Sequence, residues 1–130
     1  MRSKLVQLTL AFCLPVVALA ADWPSWRGPM QNGTADETDL VSSWSTEGEN
    51  LVWHADFTGR STPVILNGRV FVIGRQGEGI SQQEVVAAFD AKNGKKLWQH
   101  AYNVFHTTIP FNRVGWSSLV GDPETGYVYA

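Results

Sequence analysis

The chain has 130 residues, a formal net charge of −2 and a single cysteine. A chain this short supports one modest core at most, and one cysteine excludes an internal disulfide. Its few Lys and Arg residues form no cluster, which excludes the electrostatic footprint of a nucleic-acid binder.

Residues 1–20 read as a cleaved signal peptide. Arg2 and Lys4 make a basic start, Leu5 to Leu19 is mostly apolar, and Ala18-Leu19-Ala20 offers small residues at the two positions a signal peptidase reads. A membrane anchor fits less well, because the apolar run is shorter than the roughly 20 residues needed to span a bilayer and Pro15 interrupts it. Cys13 is not placed for lipidation: Phe12 precedes it and the apolar run continues past it. Cleavage after Ala20 is therefore expected, with export to the periplasm or beyond and no transmembrane segment afterwards. Losing Arg2 and Lys4 leaves eight basic against twelve acidic residues, a net charge near −4, and no cysteine for a disulfide or thiolate metal site.

Residues 21–50 read as an N-terminal arm. Trp23 to Asp39 is rich in Gly, Pro, Asn and acids without a sustained period, so it is expected to lie across a neighbouring element. Trp23 and Trp26 are expected to hold it, with Arg27 paired to a carboxylate. Leu51 to His54 follows as a short strand, with Thr58-Gly59 as a turn. Pro63–Leu66 and Arg69–Ile73 are expected strands joined by Asn67-Gly68, since both residues tolerate the positive φ of a two-residue hairpin turn. Gly74 to Gln83 is polar and glycine-rich and reads as a loop. Glu84–Asp90 and Lys95–His100 are the next strands, joined around Asn93-Gly94.

These four strands predict one antiparallel sheet over about 61–100. Tyr102 to Gly115 is then an irregular connection. Beyond it, Trp116–Val120 resembles Arg60–Val64 and Gly126–Tyr129 resembles Gly68–Phe71, at offsets of 56 and 58 residues. Residues 116–130 are thus the start of a second unit. One four-stranded sheet cannot bury both of its faces, and radial stacking of such units solves the problem. The expected fold is all-β: the N-terminal part of a β-propeller made of four-stranded antiparallel blades. A ring closes with four or more blades, whereas residues 51–130 supply about one and a half. The chain accordingly reads as the beginning of a longer protein, in which 51–54 is the outer strand that closes the ring.

Ala88-x-Asp90-x-x-Asn93-Gly94-x-x-x-Trp98 resembles the tryptophan-docking motif of pyrroloquinoline-quinone-like β-propellers. That motif runs Ala-x-Asp-x-x-Thr-Gly-x-x-x-Trp, so Asn93 stands where threonine is usual. Trp23-Pro24-Ser25-Trp26-Arg27-Gly28-Pro29, with Gly33 shortly after, resembles the opening of an exported subgroup. The resemblance implies seven or eight blades in the whole protein. It also implies that Ala88 and Trp98 pack between neighbouring blades, while Asp90, Asn93 and Gly94 form the turn between the outer two strands.

The catalytic members of this family hold the quinone over a tryptophan, with calcium bound by Glu and Asn and a catalytic Asp nearby. No such set is assignable here, so neither catalytic residues, cofactor nor metal is assigned to this stretch. Asp90 is tempting as an acid, but its place in a turn favours bonding to local backbone. His54, His100 and His106 lack metal-ligand spacing, and Ser61 and Ser117 have no identifiable base. Asn32-Gly33-Thr34 satisfies a glycosylation sequon, idle in a bacterial exported protein. Trp116 reads as packing between blades or as a stacking surface. The 102–115 connection contributes His106 and Arg113, which with Trp116 form a candidate surface for a ligand or protein partner at one propeller face. The leading expectation is a non-catalytic binding scaffold, in the manner of the outer-membrane assembly scaffold that the family includes. The alternative is a quinone- and calcium-dependent dehydrogenase of alcohols or sugars.

Overall fold

A computed structural model describes residues 21–104 and 114–130. Four strands, β1 (Val64–Leu66), β2 (Arg69–Gln76), β3 (Gln83–Asp90) and β4 (Lys96–Asn103), form one sheet in sequential order. Every neighbouring pair is antiparallel. Two further short strands, β5 (Val120–Gly121) and β6 (Val128–Tyr129), make a separate hairpin. The four-stranded antiparallel sheet is the one expected from the sequence and is consistent with one propeller blade.

The β1–β2 turn is set by Asn67 and Gly68, both at positive φ (52° and 70°), as their residue types allow. The sheet has two apolar faces. Val64, Leu66, Phe71, Ile73, Val86 and Ala88 point to one side, where Leu119, just before β5, joins them and Tyr102 and Val128 pack at the margin. Val85, Ala87 and Phe89 point to the other side and are buried. There the Phe57 ring meets Phe89 edge-on at 5.8 Å. Alternation along β3 therefore fails, since a strand covered on both faces is apolar throughout.

Four expectations are corrected. Gly74 does not open a loop, because β2 runs on through Gln76. It is a glycine for lack of space: a Cβ there would collide with the Thr58 carbonyl oxygen and the Phe57 ring. Thr58-Gly59 is likewise paired, with Gly59 bridging Gly74 and the Arg75 amide donating to Thr58 O at 2.8 Å. The arm is held by Trp23, which exchanges hydrogen bonds with Ile65 at 2.8 and 3.0 Å, and by buried Ser25, whose hydroxyl reaches Gly28 O at 2.7 Å. Trp26, by contrast, is 68% exposed. Arg27 donates to the Asn32 carbonyl at 3.4 Å rather than to a carboxylate.

Boundaries shift modestly. β4 ends at Asn103, three residues past the expected limit, and Trp116–Leu119 is irregular before β5 begins. Residues 51–54 form no strand among the described residues.

Candidate functional site

The residues of interest gather at opposite ends of the blade. The antiparallel order places the Asn67-Gly68 and Asp90–Lys95 turns at one end. The β2–β3 loop, Arg60, Tyr102 and Gly115 lie at the other end, an eight-residue strand or about 26 Å away.

At the turn end, Asp90 Oδ1 accepts the amides of Lys92 and Asn93 at 2.9 and 3.2 Å. Asn93 Oδ1 accepts the Lys95 amide at 2.9 Å. The Gly94 amide returns to Asp90 O at 2.9 Å. Each side chain bonds to backbone within three residues, the local pattern that short polar side chains favour in turns. The turn is capped by a residue outside the motif. Trp53 Nε1 donates to Ala91 O at 2.9 Å, and the indole lies so close to Gly94 that a Cβ there would sit 2.6 Å from its Cδ2. Ala91 N in turn donates to Gly68 O at 3.0 Å, which joins the two turns. Sequence reasoning missed this use of Trp53; its signal was a lone indole in a segment without a strand partner.

Ala88 is fully buried in the core, with Phe71 and Trp98 as its cross-strand neighbours on the same face. The Phe71 and Trp98 rings are 6.0 Å apart, and Trp98 remains 44% exposed at the open edge of the sheet. A bulge next to Ala88 lets Trp98 pair with Ala88 while Lys96 pairs with Phe89. A second turn repeats the local chemistry of the first. Asp122 accepts the Glu124 amide at 2.9 Å and the Thr125 hydroxyl at 2.6 Å, and Gly126 N returns to Asp122 O at 2.8 Å. The Thr125 hydroxyl and Glu124 amide hold the Asp122 carboxyl below its ordinary pKa. The Asp-x-x-Thr-Gly spacing is legible in the sequence as Asp122-Pro123-Glu124-Thr125-Gly126.

At the other end Glu84 organises the connection. Its Oε1 accepts the Gly115 amide at 2.9 Å and its Oε2 accepts the Tyr102 hydroxyl at 2.8 Å. Arg60 N donates to Gly115 O at 3.2 Å, and the Arg60 guanidinium lies 5.4 Å from the Trp116 ring centroid, a cation–π contact. Trp116 is 49% exposed. Ser61 is no free nucleophile: its hydroxyl accepts Ile73 N at 2.8 Å and donates to Ile73 O at 2.9 Å. His106 and Arg113 lie outside the described residues. Among the described residues, no group of three or more His, Cys, Asp or Glu is placed to hold a metal ion, and no helix is long and apolar enough to cross a membrane.

The Tyr102 phenol is pushed up to about 12, first by desolvation and then by its bond to the Glu84 carboxylate. The fold thus favours the neutral phenol, and the unfolded chain releases its proton first, near pH 10. Stability is expected to hold below that pH and to fall as pH rises from about 10 to about 12. Urea midpoints across this window, compared with Tyr102→Phe, should show a shallower loss in the variant. Absorbance titration of Glu84→Gln should place the phenol lower but still above its ordinary value, because burial is the larger cause.

The described residues thus combine one four-stranded antiparallel sheet with two Asp-x-x-Asn/Thr-Gly turns. The family profile described as outer membrane protein assembly factor BamB matches residues 32–123, well over half of the chain. The chain belongs to that family. Its matched span covers the whole first sheet, both Asp-led turns in part or whole, and the connection between them. Searches of curated proteins and of solved structures return no match.

Proposed function

We propose that the chain opens an exported, non-catalytic β-propeller that presents a binding surface to a protein partner in outer-membrane protein assembly. The family match carries this reading. The local chemistry is consistent with it: Asp90, the most tempting acid of the sequence, spends its carboxylate on the amides of Lys92 and Asn93. In the ring, Ala88 and Trp98 are the contacts from one blade to the next, and residues 51–54 pair as the closing outer strand. Trp116, with Arg113 and His106 from the connection, supplies contacts on the propeller face. The signal peptide of residues 1–20 delivers the protein to the periplasm.

The test is a photo-crosslinking residue at position 116 in the exported protein in its native cell. The expected product contains a β-barrel assembly component, identified by mass spectrometry. Absence of any such product from positions 113 and 116 overturns the reading. Dye reduction with simple alcohols after reconstitution with pyrroloquinoline quinone and calcium would replace it by the dehydrogenase.

A further inference from the structure

Residues 21–23 are tied to the fold at every position. Trp23 exchanges two hydrogen bonds with Ile65. Asp22 Oδ1 accepts the Asn67 amide at 3.0 Å, which fixes it to the β1–β2 turn. Ala21 N donates to Glu37 Oε1 at 3.3 Å. These residues border a recess of about 750 Å³ between the arm and β1, and three carboxylates, Asp22, Asp36 and Glu37, line it. Its lining holds no Lys or Arg among the described residues. Against one of these acids, Glu37, lies the Ala21 nitrogen.

While Ala20 is attached, that nitrogen is a neutral amide donor. Hydrolysis of the Ala20–Ala21 bond breaks the C–N bond, leaves the water oxygen on the Ala20 carboxylate, and converts the Ala21 nitrogen to an ammonium. We propose that this ammonium is the cation the recess lacks: it pairs with the Glu37 carboxylate and locks the far side of the arm back onto its first residue. Maturation then does more than remove a leader, since it creates the charge that closes the arm. The inference rests on the export reading, because it requires Ala21 to be the first residue of the mature protein. It also orders events. Asp22 and Trp23 are bonded to the β1–β2 hairpin immediately after the scissile bond, whereas proteases act on exposed, loosely held chain; cleavage therefore precedes docking of the arm.

The experiment uses the exported protein recovered from the periplasm. Intact mass and N-terminal sequencing are expected to give Ala21 as the first residue. The α-amino pKa, measured by nuclear magnetic resonance after alanine labelling, is expected about half a unit above the ordinary 7.7–8.0, the size of an exposed ion pair. Glu37→Gln should return it to the ordinary range, and Glu47→Gln should leave it raised. A first residue other than Ala21 overturns the proposal together with the signal-peptide reading. Ala21 in first place with an ordinary pKa, or a raised pKa indifferent to Glu37→Gln, overturns the lock alone.

Discussion

Gly74→Val is expected to destabilise the protein by about 3 kcal/mol, at the upper end of the cost of overpacking a close-packed interior. A Cβ at this position meets the Thr58 carbonyl and the Phe57 ring on one side of the sheet. The Gly115 backbone crosses so near that a Cβ on Gly115 would lie 2.8 Å from the Gly74 carbonyl carbon. Backbone has no rotamer by which to retreat, so the strain must move either β2 or the crossing segments. Gly33→Ala is the control. It has open space around it and a φ of +77°, and should cost only about 1 kcal/mol in backbone strain. Urea denaturation followed by circular dichroism measures both. Equal losses for the two variants would show that crowding at Gly74 is not what selects glycine there.

Trp53→Ala is expected to cost a similar amount, about 3 kcal/mol, the low end for removing a large packed aromatic. Two separable contributions make it up. The indole covers Gly94, which sits at φ +70° and leaves a flat surface for the ring. The indole nitrogen also satisfies Ala91 O. Trp53→Phe keeps most of the covering ring and loses the hydrogen bond, so about 1 kcal/mol is expected for it. Amide exchange should report the same difference locally, with faster exchange at Gly94 in Trp53→Ala than in Trp53→Phe. A Trp53→Phe loss as large as that of Trp53→Ala would assign the whole effect to the hydrogen bond.

The blade was legible because its signals are local. Asn67-Gly68 fixes a hairpin between two apolar runs rich in Val and Ile, and the Asp90–Gly94 turn is written in adjacent residues. What was illegible depends on distant approach. Gly74 looks like a loop glycine in the sequence, since nothing near it reveals that Thr58 and Gly115 press on its backbone. Ser61 has no identifiable base in the sequence, but nothing there reveals that its hydroxyl fills the place of a main-chain partner opposite Ile73. Trp26 looks like a holding residue by its type, yet the hydroxyl of Ser25 closes the turn beside it. Glu84 carried no motif at all. Its role appears only when Tyr102 and Gly115 arrive from positions 18 and 31 residues away.

Leu119, fully buried among side chains of β1, β2 and β3, lies in the stretch whose sequence resembles Arg60–Val64 at the start of the sheet. The core of the four-stranded sheet is thus completed by a residue from beyond the connection that follows β4. In arrays where stability resides in nearest-neighbour interfaces, the junction is the thermodynamic particle and the repeat is only its genetic spelling. Gain or loss of a blade in such a lineage would succeed when the breakpoints fall inside sheets, keeping each Leu119-like residue with the neighbour it completes.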